Sequence, residues 1–293
     1  MWNVARHLVL LLVFLFSSAL QAQVGAGLLW RIHKPQQPPS FLFGTIHIDD
    51  KRVKDLNSQV IHRFNEAKTL CLEILPNRET QVGIGRAMLL PEGEFLDQIL
   101  GDRLFSQLSL ELNKRGMTPL EALYLKPWAA MIVLSRPKSQ GGYALDEQLY
   151  HWGVHQYKQL CALETLQEQL SVFDGLSRAD QTTLLKDSLN FLPVVQALNE
   201  KLVLAYLDGD LDDIYRRSME LQSQDDELAK RLMNSLIDQR NLKMLERMLP
   251  QLEKGRAFIA VGALHLPGEH GLLNLLRGKG YAVTPPDLKV SPW

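Results

Sequence analysis

FIAVGALHLPGEH, at 258–270, is an apolar run that breaks into Gly-x-x-His, with Gly262 and His265 at the two fixed positions. FLFGTIHIDD, near the other end of the chain, breaks in the same way at Gly44 and His47. Short apolar runs of this kind are typical of buried β-strands. Because α/β folds bind ligands beyond the carboxyl ends of their strands, the twin motifs predict one shared site for both histidines.

Elsewhere the chain alternates short strand patterns with longer helical ones. Strands are predicted at Leu28–His33, Phe41–Ile48, Thr69–Ile74, Gln159–Leu163, Arg256–Leu266 and Tyr281–Val283. A proline-rich turn joins the first two, which predicts a hairpin. This order predicts an α/β fold, with a central mixed β-sheet flanked by helices. The helical pattern of about 165–250 predicts a large helical insertion, or subdomain, between the N-terminal and C-terminal strands.

The composition indicates a globular protein, and the N-terminal residues indicate that it is exported. The 293-residue chain is 46% hydrophobic and 22% charged, which is enough apolar sequence for a buried core. Its formal charge of −1 does not indicate a nucleic-acid-binding protein. Residues 1–22 have the order of a signal peptide, with Arg6, an apolar stretch and a cleavage point after Ala22. Leu20 at the −3 position leaves an uncleaved anchor as the alternative. We expect a periplasmic or secreted domain at 23–293, without a membrane span.

The two cysteines, Cys71 and Cys161, each lie in an apolar strand-like run. Two cysteines in an oxidising compartment can pair, but a buried free thiol is equally ordinary in such a run. The sequence leaves both alternatives open.

Two glutamates occupy positions where an ionised side chain is costly to bury. Glu73 lies inside TLCLEIL, and Glu164 ends QLCALET. A carboxylate there needs a cation, an arginine or a metal ion as a partner. The alternative for Glu73 is a strand edge in solvent, and for Glu164 a place in the first turn of the following helix.

Arg240 falls near the apolar stripe of a predicted helix, which allows a buried carboxylate as its partner. The helical pattern alone favours a solvated charge. Asp49 follows His47 closely, so it could orient that imidazole or bind a metal ion.

Two histidines with one or two carboxylates form a mixed nitrogen and oxygen ligand set, which suits Zn, Mn, Fe or Co. A metal ion held in this way activates water and polarises a carbonyl, which is the chemistry of hydrolysis. The sequence contains no G-x-S-x-G motif and no Walker A motif, so serine hydrolase and nucleotide-phosphate functions have no support.

Taken together, several segments resemble the TraB/GumN family, which includes the Tiki proteins. They are FLFGTIHI with its nearby Asp, LCLEI, GGYALDEQL, LETLQEQL, the QRN helix and FIAVGALHLPGEHGLLNLLRGKGYAV. The resemblance covers nearly all of the chain after the predicted signal peptide, and the last segment is its most specific part.

The resemblance implies a fold similar to the erythromycin esterase and ChaN-like group. It also implies a metal-dependent protease that uses paired G-x-x-H motifs and a glutamate with Mn or Co. Matched motif by motif, it assigns His47, His265 and Glu73 to the metal, and Glu73, Glu164 and Arg240 to catalysis. Gly44 and Gly262 line the cofactor site in this assignment.

The leading hypothesis is thus an exported hydrolase, most simply a peptidase, that uses a divalent metal (Mn, Co or Zn) and acts on a peptide or protein. Two alternatives come from other classes of protein. One is a haem- or metal-binding protein without catalysis, and the other is an accessory factor in cell-surface polysaccharide or pheromone handling.

Overall fold

A computed structural model describes residues 27–137, 141–220 and 227–286, so the predicted signal peptide lies outside the described residues. In these ranges the sheet has six strands, namely β1 (Leu29–His33), β2 (Ser40–Thr45), β3 (Thr69–Leu72), β4 (Gln159–Ala162), β5 (Ala257–Gly262) and β6 (Ala282–Thr284). Their order across the sheet is β4-β3-β5-β2-β1-β6. β1 runs antiparallel to both of its neighbours, which confirms the hairpin with β2.

The strands β2, β5, β3 and β4 are parallel, so their carboxyl ends lie at one edge of the sheet. Beside them lie helices α1 (Lys51–Lys54), α2 (Ser58–Glu66), α3 (Arg78–Ala87), α4 (Leu96–Leu100), α5 (Asp102–Asn113), α6 (Pro119–Leu123), α7 (Pro127–Ser135), α8 (Leu145–His155), α9 (Leu166–Asp174), α10 (Arg178–Asn190), α11 (Leu192–Asp208), α12 (Leu211–Glu220), α13 (Glu227–Met233), α14 (Gln239–Lys254) and α15 (Leu272–Gly278). A π-helical turn, Asn234–Asp238, joins α13 to α14. The α/β fold, with a mixed sheet flanked by helices, is confirmed.

The central strand β5 explains why the two ends of the chain meet. All six of its residues are buried, between β3 on one side and β2 on the other. Phe258 from β5 packs against Phe43 of β2 and Phe64 of α2, with ring centroids 5.9 and 5.3 Å apart. A strand buried on both faces must be apolar throughout, which is the pattern that its sequence shows.

Apolar packing forms two clusters in the described residues. The larger one surrounds the sheet, and the smaller one is built mainly by helices α4 to α7 with Leu185 and Leu192. The helices between 165 and 250 contribute to both clusters, since Val203 and Met244 belong to the larger one. A separate subdomain at 165–250 stays a prediction. Among the described residues, no helix has the length and apolar character of a membrane span.

Cys71 and Cys161 are joined by a disulfide between β3 and β4. The two residues are directly paired in the parallel register, with their Cα atoms 4.6 Å apart. Of the two alternatives for the cysteines, the structure therefore has the paired one. The bond closes a loop between positions 90 residues apart and fixes the two strands beside the predicted site.

Two of the predicted strands extend at least three residues beyond the observed ends. The predicted strand Arg256–Leu266 is too long, because β5 ends at Gly262 and the chain turns into a 3₁₀ helix at Ala263–His265. The predicted strand Phe41–Ile48 is also too long, because β2 ends at Thr45. His47 therefore lies beyond the end of the strand rather than inside it.

Candidate metal centre at the carboxyl edge of the sheet

The sequence-predicted side chains lie at the carboxyl ends of four adjacent parallel strands. His47 comes two residues after β2, Glu73 directly after β3, and Glu164 two residues after β4. His265 lies in the 3₁₀ turn that follows β5, three residues after Gly262. The parallel register therefore brings together groups that are far apart in the sequence.

One carboxylate oxygen is shared by the twin motifs. The Oε1 atom of Glu73 lies 3.6 Å from Nε2 of His47 and 3.7 Å from Nε2 of His265. The backbone N–H of Gly262 donates a 2.6 Å hydrogen bond to the same oxygen. Glu73 is buried, and its alternative as a solvated strand-edge residue is wrong.

Asp146, the second residue of α8, holds the other ring nitrogen of His47. Its Oδ2 atom lies 2.7 Å from Nδ1 of the imidazole, and its Oδ1 accepts a 2.6 Å hydrogen bond from the Thr45 hydroxyl. Asp146 thus occupies the position on His47 that the sequence suggested for Asp49. Asp49 instead accepts the backbone N–H groups of Gly141 and Gly142, at 3.1 and 3.3 Å.

Asn241 holds His265 in the corresponding way. Its amide nitrogen donates to the backbone carbonyls of His265 and His270, which fixes the orientation of the amide. Its Oδ1 atom must then accept the proton of Nδ1 of His265, over 2.7 Å. This bond selects the tautomer of His265 whose Nε2 lone pair faces Glu73.

Arg240 joins the two glutamates from the side opposite the histidines. Its guanidinium donates to both carboxylate oxygens of Glu164, at 2.6 to 3.0 Å, and to Oε2 of Glu73 at 2.7 Å. Arg240 is only 9% exposed, so the solvated charge that its helical pattern favoured is wrong. Gln169 adds a 3.0 Å hydrogen bond to the same oxygen of Glu73. Glu164 is fully engaged with Arg240 and not with the histidines.

The charges at the site set different pKa values for the two histidines. Asp146 first, and then Glu73, raise the pKa of His47 well above its usual value. Burial lowers the pKa of His265 to about 4, so this imidazole is neutral at pH 7. Burial alone would raise the pKa of Glu73, but His47 and Arg240 outweigh it and hold that pKa well below its usual range.

The two glycines of the motifs have different neighbours. A Cβ atom on Gly262 would lie 3.2 Å from Nε2 of His47 and 3.3 Å from Oε1 of Glu73, closer than most Cβ contacts. A Cβ atom on Gly44 would lie 3.1 Å from Cα of Ala263, part of the 3₁₀ turn. Gly262 thus keeps room beside the predicted ligands. The contacts of Gly44 show close packing between β2 and the turn, and its predicted place in the cofactor site stays a prediction.

The residue types fit a divalent transition metal, since two imidazoles whose Nδ1 atoms are already held leave both Nε2 atoms for an ion beside a carboxylate. The spacing is wider than that of a closed site. Within the ranges that the structure describes, no three His, Cys, Asp or Glu side chains meet the distances of a metal centre. The ligand set thus stays a prediction.

Sequence reasoning did not identify Asp146 or Asn241 as parts of the site. Asp146 belongs to the GGYALDEQL segment, where the pattern matches an ordinary acidic residue in the first turn of a helix. Asn241 follows Arg240 on the same helix, and its only sequence signal is a position on the buried side of that helix. A carboxylate just after the Gly141-Gly142 break is the one local signal that could have pointed to Asp146.

Curated relatives of this chain come from animals and bacteria. The chain is 28% identical to "Metalloprotease TIKI1" of Danio rerio, over 87% of this chain and 62% of that protein. The human "Metalloprotease TIKI1" is also 28% identical, over 87% of this chain and 61% of that protein. The chain thus spans about three-fifths of the length of these relatives. "Uncharacterized protein YbaP" of Shigella flexneri is 25% identical, over 83% of this chain and 89% of that protein.

No solved structure matches this chain significantly. The model of the TraB/PrgY/gumN family matches residues 28–285, which include all six strands and both Gly-x-x-His motifs. The chain therefore belongs to the TraB/PrgY/gumN family.

Proposed function

We propose that this protein is an exported, metal-dependent peptidase whose ion is held by His47, His265 and Glu73. One observation carries the proposal. Both imidazoles direct Nε2 toward the same carboxylate oxygen of Glu73, at 3.6 and 3.7 Å, while other residues occupy both Nδ1 atoms. The TIKI relatives are named metalloproteases, which supports the same chemistry.

A divalent ion at this place would supply activation of water and polarisation of a carbonyl group. The other groups of the site orient or neutralise the residues that would hold the ion. Asp146 and Asn241 fix the orientation of the two rings, and Arg240 neutralises the oxygen of Glu73 that faces away from the histidines. The side chain of His47 is 51% exposed, which leaves one side of the site open to a substrate.

Different surroundings support different roles for the two glutamates. A general base works best with a pKa near the working pH, whereas the pKa of Glu73 is held well below its usual range. Glu73 therefore suits the role of a metal ligand. Glu164, with both oxygens on Arg240, suits the role of a positioning residue that keeps Arg240 against Glu73. We propose these two roles for Glu73 and Glu164.

The test is metal content and peptide cleavage, measured on protein purified without a chelator. We expect wild type to carry Mn, Co or Zn by elemental analysis and to cleave peptides in a proteomic screen with the metal found. His47→Ala, His265→Ala and Glu73→Gln should each lose metal and at least about 100-fold in kcat/KM, because each removes one ligand.

His62→Ala is the matched control, since His62 is a half-exposed histidine on α2 whose partner is Glu66. It should keep both metal and activity. Retention of both by the His47→Ala and His265→Ala variants would show that the site is elsewhere. A Soret band after addition of haem, together with no cleavage, would instead favour the haem-binding alternative.

Export is tested separately, by the N-terminus of the mature protein. We propose that the mature protein begins after Ala22, because residues 1–22 have the order of a signal peptide. N-terminal sequencing of the protein recovered from outside the cytoplasm should begin at Gln23. A protein that keeps its first 22 residues would support the uncleaved anchor.

A further inference from the structure

A cavity of about 290 Å³ opens beside the two histidines. His47, Gly262 and His265 form the part of its wall that belongs to the candidate metal centre. The remainder is mainly apolar, with aliphatic side chains that include Ile46, Leu202, Ile214, Met233, Leu236 and Ile237. An apolar cavity is therefore continuous with the proposed reacting centre.

The polar side chains of this wall already have partners inside the protein. The hydroxyl of Tyr206 donates to the carbonyl of Gly44 at 2.9 Å, and the hydroxyl of Ser218 donates to the carbonyl of Ile214 at 2.8 Å. Arg240 is bound to Glu73 and Glu164. A charged group that entered the aliphatic part of the cavity would lose its hydration without gaining a new partner, which is costly. An apolar group has no such desolvation cost, and its transfer from water into the cavity is favourable.

The π-helical turn Asn234–Asp238 builds the side of the cavity nearest to Arg240. A π turn shifts the helical register by one residue and is frequent at functional sites. Here it places Leu236 and Ile237 on the cavity wall, while the backbone carbonyl of Leu236 accepts a 3.1 Å hydrogen bond from Arg240. The same turn thus contributes to the apolar wall and to the support of the ion network.

The volume suits one side chain rather than a large ligand. Sites for small molecules commonly measure ~300–1,000 Å³. An apolar cavity of ~150 Å³ already holds a benzene ring. The 290 Å³ here therefore has room for the side chain of Leu, Met or Phe and the adjoining backbone.

We propose that this cavity is the specificity pocket of the peptidase and takes one apolar side chain next to the scissile bond. This inference rests on the proposed function, because it needs a peptide bond at the histidines. It adds the substrate class: peptides with Leu, Met or Phe at a position that flanks the cleaved bond, and neither Asp nor Lys there.

The first measurement compares kcat/KM for two peptide series that vary one residue on either side of the cleaved bond. Wild type should prefer Leu or Phe over Asp by at least about tenfold at one of the two positions. Ile237→Asp should abolish this preference and favour Lys, because it places a carboxylate on the cavity wall. Leu236→Ala should move the preference toward larger side chains.

Leu242→Asp is the matched control, because Leu242 lies on α14 but is 54% exposed and outside the cavity wall. It should cleave with the wild-type preference. Neither Leu236 nor Ile237 belongs to an apolar cluster of the described residues, and thermal unfolding followed by circular dichroism checks that the variants fold.

A second measurement separates this inference from the peptidase proposal. NMR titration of the metal-free protein with N-acetylphenylalaninamide should show binding to wild type and at least tenfold weaker binding to Ile237→Asp. Binding without cleavage of any peptide would overturn the peptidase and keep an apolar pocket. Cleavage without an apolar preference, or an unchanged preference in Ile237→Asp, would overturn the pocket and keep the peptidase.

Discussion

The two Gly-x-x-His motifs have the same spacing and face the same oxygen of Glu73, yet the structure gives their histidines opposite environments. His47 lies in a loop, half exposed, with the carboxylate of Asp146 on its Nδ1 atom. His265 lies in a buried 3₁₀ turn, with the neutral amide of Asn241 on its Nδ1 atom. The pKa is raised in the first case and lowered in the second.

The difference shows that the motif determines the position of each histidine in the fold, while the neighbouring elements determine its charge. A carboxylate partner favours the protonated ring, whereas burial beside an amide favours the neutral one. A site with one imidazole of each kind combines an open, cationic side with a closed, neutral side. The following predictions test this contrast, from the largest expected effect to the smallest.

Removal of Arg240 should destabilise Glu73, the carboxylate that faces the histidines of both motifs. Arg240→Met leaves Glu73 and Glu164 buried without their cation, so we expect a loss of about 3–5 kcal/mol in the free energy of unfolding. Urea denaturation followed by circular dichroism measures it. Arg247→Met is the control, since Arg247 is 39% exposed in its pair with Glu168, and its loss should stay within about 1 kcal/mol. Equal losses in both variants would contradict a buried ion network.

The two histidines should give the metal-free protein opposite dependences on pH. The pKa of His265 is about 4 in the folded protein against ~6.5 in the unfolded chain. Its contribution, up to about 3 kcal/mol, is therefore present above pH ~6.5 and is lost as the pH falls toward 4. The raised pKa of His47 gives a contribution that is present below pH ~6.5 and is lost as the pH rises through the folded value.

Urea denaturation between pH 4 and 8 checks both signs. His265→Asn should flatten the loss of stability on the acid side, and His47→Asn should flatten the loss on the alkaline side. The same change of slope in both variants would contradict the contrast between the two environments.

Alanine at the two motif glycines should separate packing from chemistry. Gly44→Ala presses on the backbone of Ala263, so we expect a loss of about 1–3 kcal/mol in the free energy of unfolding. Gly262→Ala presses on the side chains of His47 and Glu73 and should lower metal content more than stability. Gly85→Ala on α3 is the control, because its Cβ would meet nothing within 4 Å, and it should stabilise by about 0.5–1 kcal/mol.

The smallest change is at Asp146. Asp146→Asn keeps an oxygen for the hydroxyl of Thr45 but removes the charge beside His47, so the pKa of His47 should fall toward its usual value. NMR titration of the metal-free protein measures it. The pKa of His265 should stay near 4, because burial rather than Asp146 sets it. A parallel shift of both values would mean that the two rings share one environment.

Much of the site was predictable because its first layer is local in sequence. An apolar run marks each strand, and the polar residue where the run stops must lie at the edge of the sheet, as Glu73, His47 and Glu164 do. Arg240 was harder, since its helical pattern fits a solvated charge as well as a buried one. Asp146 is 99 positions from His47, and Asn241 is 24 from His265, so only the folded chain brings these partners together.

The sequence by itself determined the mixed sheet, the twin motifs and the carboxyl edge as the place where they meet. These follow from hydrophobic periodicity and from the rule that parallel strands end at one edge. The tertiary structure alone decided the tautomer of His265, the charges of the two histidines, the burial of Arg240 and the apolar cavity beside them. Each depends on which distant side chains exclude water around a group, and burial of that kind is a property of packing rather than of any local stretch of sequence.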